Sequence, residues 1–266
     1  MRSVIDSLGR RLQIPEYPQR IISLCPSQTE TLFALGVGPQ IVGRTRYCIE
    51  PKGQIEQVAV VGGTKKVDVP LIATLQPDLI IAQMEENTAA DVERLSQLAP
   101  VYVTRVERYE EALESIQRLG DITQKQREAE QLIQEITFAF SQIPTASEPL
   151  RVLYLIWRKP YMAAGANTYI DSLLTRLGWQ NEAASLPGRY PTLESDKHVA
   201  PELILLSDEP FPFSEKHIPE IQRIWPSAMV YCVKGDYFSW YGARMRKAAP
   251  YLRQLLENIA KERFFS

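Results

Sequence analysis

Residues 77–82 read P-D-L-I-I-A, and residues 201–206 read P-E-L-I-L-L. Each stretch joins a turn-forming proline and an acid to a short apolar run, which is typical of a strand buried in a parallel sheet. The two stretches lie almost half of the 266-residue chain apart. A proline and an acid before a buried strand are common in α/β proteins. With its flanking sequence, however, the repeat favours two similar lobes and a cleft between them.

The composition is that of an ordinary globular protein and excludes several classes of function. Hydrophobic residues make up 45% of the chain, charged residues 23%, and the formal net charge is −2. This balance argues against a nucleic-acid partner, because phosphate binding needs clustered Lys and Arg. No apolar run is long enough to span a membrane, and residues 1–11 lack the apolar core of an export signal. The sequence as given therefore predicts a cytoplasmic protein, unless a signal has been removed.

Strands and helices alternate along the first part of the chain. Strands are predicted at residues 20–24, 41–43, 79–82 and 101–103, and helices at residues 29–35, 69–75, 89–98 and 109–119. Ser27, with Glu30 three residues later, predicts a capping box at the start of the first helix. This order of elements predicts a parallel sheet covered by helices.

A long segment without Gly or Pro follows. Residues 124–142 carry apolar side chains at helical spacing, which predicts a helix of about 28 Å that joins two lobes. The second lobe is predicted to contain strands at residues 151–156, 203–206 and 230–233, and helices at residues 168–177, 194–199, 216–224 and 249–260. The expected division is an N-terminal α/β lobe at residues 1–120, a connecting backbone helix at residues 121–145 and a C-terminal α/β lobe at residues 146–266.

The sequence contains no common catalytic motif. It has no G-x-S-x-G elbow, Walker loop, G-x-G-x-x-G or H-E-x-x-H, so an enzyme is not expected. Cys25 stands at a strand end before a helix, and a hydrolase-like enzyme with Cys25 as nucleophile stays an alternative. Cys25, Cys48 and Cys232 form no zinc motif and are interpreted as buried free thiols.

Three stretches together resemble a known family. They are residues 18–51 (PQRIISLCPSQTETLFALGVGPQIVGRTRYCIEP), residues 61–66 (VGGTKK) and residues 72–81 (IATLQPDLII). They resemble the class III substrate-binding proteins of ABC importers, also called helical-backbone metal receptors, and the similarity covers nearly the whole chain. Its most specific part is R-I-I-S-L-x-P-S-x-T-E, at residues 20–30.

The resemblance implies the fold and the function. The fold is the class III periplasmic-binding-protein fold, with two Rossmann-like lobes of parallel sheets joined by one long backbone helix. The function is non-catalytic binding of a metal chelate (a ferric siderophore, cobalamin or haem) in the cleft, for ABC-type uptake at the periplasm or cell surface. A monomer without an intrinsic cofactor is expected. One subgroup of the superfamily binds bare zinc or manganese through three His and a carboxylate, but this chain has only His198 and His217.

Ligand-binding residues are expected where strands end, because ligands of open α/β sheets bind at the carboxyl ends. The candidates in the N-terminal lobe are Ser27, Gln28, Thr29, Tyr47, Thr64, Lys65 and Glu85, with Glu86 and Asn87 beside them. The candidates in the C-terminal lobe are Trp157, Arg158, Tyr161, Arg189, Tyr190, Phe213, His217, Phe238, Trp240, Tyr241 and Arg244. Backbone N–H groups at residues 27–29 open a helix and suit an anionic group, with a plain helix cap as the alternative. Large flat side chains suit a flat chelate, with core packing as the alternative.

Two features of the sequence bear on which of these candidates contact the ligand. Residues 238–244 form a very aromatic loop that looks unlike core and is the strongest candidate from composition. The following arginines fall in predicted loops near strand ends: Arg46, Arg105, Arg158, Arg189 and Arg244. If several converge, the ligand is anionic, because guanidinium groups match carboxylates; scattered surface arginine is the alternative. By the resemblance, Tyr47 matches a family tyrosine, and Thr64 stands where cobalamin binders carry an aromatic residue over the corrin.

The resemblance also implies an ABC permease as partner. Importer-docking members carry one exposed glutamate on each lobe, seven residues before the proline of the repeated strand. Glu194 matches this position in the second lobe, whereas Pro70 occupies it in the first and supplies no charge. A cytoplasmic corrinoid or siderophore carrier or sensor, not coupled to an importer, is therefore kept as an alternative.

Overall fold

A computed structural model describes residues 1–145, 149–193 and 199–265, without the side chains of residues 264 and 265. The chain divides into two units that exchange short segments. Unit 1 comprises Met1–Val106, Glu110–Thr137 and Gly242–Arg244, and unit 2 comprises Glu107–Tyr109, Phe138–Tyr241 and Met245–Ser266. The expected three-part division into residues 1–120, 121–145 and 146–266 stays a prediction.

Unit 1 begins with an antiparallel hairpin of β1 (Arg2–Ile5) and β2 (Arg11–Ile14), which the sequence analysis missed. Its main sheet contains β3 (Ile21–Ser23), β4 (Ile41–Arg44), β5 (Ala59–Val60), β6 (Leu79–Gln83) and β7 (Val101–Thr104). All five strands run parallel, in the order β5-β4-β3-β6-β7. Every residue of β6 is buried, which explains why its sequence is a continuous apolar run rather than an alternating one.

The first five α-helices are α1 (Pro26–Ala34), α2 (Val69–Thr74), α3 (Ala89–Ser96), α4 (Tyr109–Thr123) and α5 (Gln126–Ser141). The predicted helices at these positions exist, but their bounds differ by one to four residues. Gln124 adopts a φ of 58°, in the left-handed region, so no single helix runs through it. As a result α4 is longer than predicted, and α5 starts later and is about 24 Å long. The chain passes from unit 1 to unit 2 within α5, after Thr137.

Unit 2 contains a six-stranded sheet. Its strands are β8 (Arg151–Trp157), β9 (Tyr161–Ala163), β10 (Gln180–Asn181), β11 (Thr192–Leu193), β12 (Leu203–Ser207) and β13 (Met229–Val233). The order is β11-β9-β8-β12-β13, with β10 also paired to β8. Strands β8, β10, β12 and β13 pair in parallel, whereas β9 pairs antiparallel with both β8 and β11. The core of this sheet is parallel, as expected. The strand β9 adds an antiparallel hairpin to it, because only three residues connect β8 to β9 and a parallel crossover needs many more.

The helices of unit 2 are α6 (Tyr169–Arg176), α7 (Ile218–Ile224), α8 (Asp236–Ser239) and α9 (Met245–Phe265). The short α8 was not predicted, and α9 begins four residues earlier than expected. The helix predicted at residues 194–199 falls mostly on residues outside the described ranges. No helix in the described part of the chain is both long and apolar enough to cross a membrane.

The two repeated stretches occupy matching places in their sheets. Strand β6 pairs with β3, the first strand of its sheet, and with β7 on its other side. Strand β12 pairs with β8, the first strand of its own sheet, and with β13 on its other side. Each repeat therefore forms an internal strand of a helix-covered α/β unit, as the sequence predicted.

Candidate ligand-binding edges of the two units

The carboxyl ends of all five parallel strands meet at one edge of the sheet in unit 1. Ligands of open α/β sheets bind at such an edge. Of the sequence candidates, Tyr47 follows β4, Thr64 and Lys65 follow β5, and Glu85 follows β6. The structure therefore places these four residues in three loops at the same edge.

A buried amide ties together the segments that follow β3, β5 and β6. The Asn87 side chain donates to the carbonyl oxygens of Leu24 and Thr64 at 3.3 and 2.9 Å, and it accepts from the backbone N–H of Gln83 at 2.8 Å. The bonded carbonyls belong to the segments after β3 and β5, and Asn87 itself follows β6. Sequence reasoning placed Asn87 beside the ligand candidates, but its geometry makes it an anchor of the loops.

Tyr47 is the exposed aromatic residue of this edge. Its side chain is 54% exposed, and its ring lies against the backbone of Gly63. A β-carbon at Gly63 would stand 3.4 Å from Tyr47 Cε2 and 3.8 Å from Arg46 Nε. The Lys65 ammonium donates to the carbonyl oxygen of Glu85. Tyr47 thus presents an open ring face beside two cationic side chains.

The start of α1 is closed rather than open to a ligand. The helix begins at Pro26 with Cys25 as N-cap, so the predicted capping box at Ser27 is wrong. Ser27, Gln28 and Thr29 are all buried. The Gln28 amide donates to a threonine hydroxyl of β7, and the Thr29 hydroxyl donates to a serine hydroxyl of β3 at 2.7 Å. Gln28 and Thr29 thus join the helix to the sheet, and none of the three buried candidates offers a surface to a ligand.

Cys25 lacks the environment of a nucleophile. Burial raises the pKa of its thiol well above the ordinary value of 9.0, and the charge of Glu86 and the neighbouring Cys48 raise it further. A neutral, buried thiol is unreactive, because the thiolate is the nucleophile. Unit 1 contains no histidine to act as its base, since both histidines of the chain fall outside its segments.

The edge of unit 2 carries an aromatic cluster behind one exposed ring. Trp157 is 41% exposed and packs edge-on against Phe211, with ring centroids 5.9 Å apart. Phe211 in turn contacts Phe213 at 4.7 Å and His217 at 5.5 Å. Phe213 and His217 are buried, and His217 Nδ1 accepts from the backbone N–H of Ser214 at 3.0 Å. Trp157 is therefore the accessible member, and the candidates Phe213 and His217 support it from within the core.

Arg158 and Tyr161 bind a carboxylate of their own unit. Arg158 donates to Glu220 through Nη2 at 2.7 Å and Nε at 3.3 Å, and the Tyr161 hydroxyl donates to the same carboxylate. The hydrogen bond from Arg158, and next that from Tyr161, lowers the pKa of Glu220 to about 2. Burial, and then the hydrogen bond to Glu220, raises the pKa of Tyr161 to about 12.

Arg189 is paired in the same manner, and the neighbouring Tyr190 is partly exposed. Arg189 Nη1 lies 2.6 Å from Glu107 Oε1, and both residues belong to unit 2. The next residue, Tyr190, is 39% exposed. Tyr190 is therefore a further accessible aromatic side chain of unit 2.

Most of the aromatic loop at residues 238–244 is core, contrary to the prediction. Phe238 is fully buried and packs on Tyr154, with ring centroids 5.0 Å apart, and Tyr241 is buried against Tyr169 at 5.7 Å. The turn of α8 points these rings inward. Trp240 is only half-buried and remains a ligand-contact candidate.

Glu209 is a half-buried acid after β12, the strand of the second repeat. Its Oε1 accepts from the hydroxyl of Ser239, the last residue of α8, at 2.6 Å. Burial raises the pKa of Glu209 above its ordinary 4.5, against the opposing effect of hydrogen bonds from Ser239 and Trp240. Glu209 therefore holds its proton more tightly than an exposed glutamate.

Arg244 is also not free for a ligand, because residues Gly242–Arg244 complete unit 1. Arg244 Nε lies 2.8 Å from Glu30 Oε2, with both side chains buried, and Arg244 Nη2 lies 3.8 Å from Glu50 Oε1. Gly242 has a φ of 78°, and a β-carbon there would stand only 2.1 Å from Thr31 Oγ1. The segment fits α1 closely and serves packing rather than recognition.

Two further positions concern metals and docking. Within the described ranges, no three His, Cys, Asp or Glu side chains come together to hold a metal ion. Pro70 is exposed in the first turn of α2, whose N-cap Asp68 accepts from the Leu71 N–H at 3.0 Å. Glu194, the proposed docking glutamate of the second lobe, lies outside the described residues.

The fold agrees with the proteins to which this chain is similar. A family model described as periplasmic binding protein matches residues 21–210. The chain belongs to the periplasmic binding protein family. This membership confirms the family resemblance of the sequence and the class of fold. Substrate-binding proteins of this family are not enzymes, and the closed environment of Cys25 agrees with that.

Several curated members of the periplasmic binding protein family are similar in sequence. The vitamin B12-binding protein of Vibrio parahaemolyticus is 27% identical over 198 residues, covering 71% of this chain and 70% of the relative. That of Pectobacterium atrosepticum is 25% identical over 260 residues, covering 92% and 89%. The uncharacterized ABC transporter substrate-binding lipoprotein YvrC of Bacillus subtilis is 26% identical over 219 residues, covering 77% and 69%.

Solved structures of periplasmic binding proteins share the fold. The vitamin B12 binding protein BtuF of Vibrio cholerae superimposes with a TM-score of 0.74 at 24% identity, covering 93% of this chain and 100% of that one. The heme-binding protein BhuT, in complex with two hemes, superimposes with a TM-score of 0.77 at 20% identity, covering 90% and 98%. At these identities the structures establish the fold alone.

Proposed function

We propose that this chain is the solute-binding component of an ABC-type importer and binds a metal chelate without altering it. The observation that carries this proposal is the pair of aromatic edges. Tyr47, in the loop after β4 of unit 1, and Trp157, the last residue of β8 in unit 2, expose about half of their side chains, at 54% and 41%. Exposed aromatic faces at strand ends suit the apolar ring or shell of a chelate.

The chemistry of the described residues supports binding over catalysis. The one candidate nucleophile is a buried neutral thiol in a unit without histidine. A chelate also brings its own metal coordination, so it needs no cluster of protein ligands, and no such cluster is found in the described ranges. A hydrolase with Cys25 as nucleophile is not supported by this environment.

The similar proteins support the ligand class. Several relatives are vitamin B12-binding proteins, and several structural neighbours are heme-binding proteins. We propose cobalamin, haem or a ferric siderophore as ligand, an ABC permease as partner, and the periplasm or cell surface as location. The proposed contact residues are Tyr47, Lys65 and Glu85 in unit 1 and Trp157, Tyr190 and Trp240 in unit 2. The predicted contact Thr64 is not among them, because it is only 6% exposed and Asn87 holds its carbonyl oxygen.

Absorption titrations of the purified protein with cyanocobalamin, haem and ferric siderophores test the proposal. We expect one class to bind, and Tyr47→Ala and Trp157→Ala each to weaken binding by about 5- to 150-fold, the equivalent of about 1–3 kcal/mol for a buried aromatic side chain. Tyr17→Ala is the matched control, because Tyr17 is 64% exposed but precedes β3, at the amino end of the sheet.

Two results would contradict this function. One is that no chelate of the three classes binds. The other is that a chelate binds but Tyr47→Ala, Trp157→Ala and Tyr17→Ala all retain wild-type affinity with unchanged melting temperatures. Fractionation of the source organism separates the importer from the cytoplasmic carrier, since the importer component is expected outside the cytosol.

A further inference from the structure

Three of the five loop arginines are already neutralised by carboxylates of their own units. The pairs are Arg158 with Glu220, Arg189 with Glu107 and Arg244 with Glu30, at N–O distances of 2.7, 2.6 and 2.8 Å. When a guanidinium binds a protein carboxylate, its charge is neutralised and some of its N–H donors are already occupied. These three arginines therefore do not make the ligand site cationic.

Arg46 differs from these three. Its side chain is exposed, and its guanidinium has no hydrogen bond or ion pair with any residue of the described ranges. Its position is nevertheless fixed, because its backbone N–H donates to the carbonyl oxygen of Gly62 at 2.8 Å. Its Nε lies beside Gly63, on which the Tyr47 ring also rests. The free guanidinium and the open aromatic face are thus immediate neighbours.

Two lysines extend this charge along the next loop. Strands β4 and β5 pair directly, so the loops that follow them are adjacent. The Gly63 N–H donates to the carbonyl oxygen of Lys66 at 2.9 Å, which closes a tight turn with Lys65 near its tip. The Lys65 ammonium uses one of its three N–H groups on the Glu85 carbonyl oxygen, and Lys66 is exposed.

The acids of these two loops are engaged elsewhere. Glu50 Oε1 lies 3.8 Å from Arg244 Nη2, and Asp68 caps α2 by accepting from the Leu71 N–H. The neighbouring loop after β6 carries Glu85 and Glu86, of which Glu85 receives the Lys65 ammonium on its backbone carbonyl oxygen. We call Arg46, Lys65 and Lys66 the basic shelf.

We infer that the basic shelf binds an acidic substituent of the chelate, a carboxylate in particular, while Tyr47 packs on the adjacent ring or shell. Because a guanidinium fork matches a carboxylate, the site prefers chelates with acidic side groups over neutral ones of the same size. This inference rests on the proposed function and narrows its ligand class. The buried Asn87, which anchors the Thr64 carbonyl, keeps the turn of the shelf in place.

Matched pairs of ligands test the inference. Haem, with two propionates, is compared with its neutral dimethyl ester. Cyanocobalamin is compared with its monocarboxylic acid derivative, and ferric citrate with the neutral ferrichrome. In absorption titrations we expect the acidic member of the pair that binds to have at least about tenfold higher affinity, as for one charged hydrogen bond. Raising the ionic strength is expected to reduce this advantage.

Charge reversal locates the preference on the shelf. Arg46→Glu is expected to lower affinity for the acidic member at least tenfold and to leave that for the neutral member within twofold, with Lys65→Glu acting in the same direction. Arg11→Glu is the control, because Arg11 is an exposed arginine on the separate β1–β2 hairpin. Equal melting temperatures of the variants show that the fold is retained.

The outcomes separate the two proposals. Equal binding of both members of a pair, or equal losses in Arg46→Glu for both, overturns the basic shelf and leaves the chelate-binding function standing. Absence of binding by every member of all three pairs overturns both. A preference for the acidic member that Arg46→Glu abolishes supports both.

Discussion

Removing Arg244 is expected to destabilise unit 1 severely. In Arg244→Met the buried Glu30 carboxylate loses the guanidinium that lies 2.8 Å away, and Glu50 loses its more distant contact at 3.8 Å. The side chains of Arg244 and Glu30 are only 6% and 9% exposed, so water does not replace the lost partner. Removing one member of a buried ion pair costs about 3–5 kcal/mol. At about 2–4 °C per kcal/mol for a chain of this size, the melting temperature is expected to fall by about 6–20 °C.

An exposed ion pair of unit 2 provides the comparison. Arg158 and Glu220 are 28% and 33% exposed, so Arg158→Met is expected to cost less than about 1 kcal/mol. Urea unfolding followed by circular dichroism at pH 7 measures both losses. The double substitution Arg244→Met with Glu30→Met is expected to recover much of the loss, because no unpaired charge stays buried. If Arg244→Met costs no more than Arg158→Met, the reasoning from burial is refuted.

Two further predictions concern protons and thiols. Because burial raises the folded-state pKa of Glu209, its contribution to stability is present below pH about 4.5 and is lost as pH rises through the raised value. Urea midpoints measured over about pH 4–8 should therefore fall less steeply in Glu209→Gln than in the wild type, and parallel profiles would contradict this. The native protein at pH 8 should react with iodoacetamide at the half-buried Cys232 before the buried Cys25. Peptide mass spectrometry measures the order in which the two cysteines are alkylated. Equal alkylation rates would support the alternative of an enzyme with Cys25 as nucleophile.

The strands and helices were largely predictable because their signals are local. The apolar runs after Pro77 and Pro201 formed internal strands, as expected for segments buried on both faces. The predictions failed where backbone geometry intervenes. Gln124, with its left-handed conformation, separates α4 from α5, and the short connection after β8 turns the chain back on itself. Neither feature has a hydrophobic period that a sequence scan can detect.

The ligand candidates were less predictable, because being in a loop does not determine exposure. Tyr47 and Trp157 are open at strand ends, as the sequence suggested, whereas Phe238 and Tyr241 of the aromatic loop are core. Composition alone did not distinguish them. The anchoring role of Asn87 also escaped, because its partners Leu24 and Thr64 lie 63 and 23 residues away.

The α/β class, the two repeated strands and the family could be inferred from the sequence, because turn residues, apolar runs and motifs lie in neighbouring positions. Which charges are available to a ligand could be seen only in the folded protein. Arg244 pairs with Glu30 across 214 residues of chain, while the Arg46 guanidinium pairs with no residue of the described ranges. Ion pairing acts through space and not along the chain, so the same residue type serves packing in one place and offers a ligand contact in another.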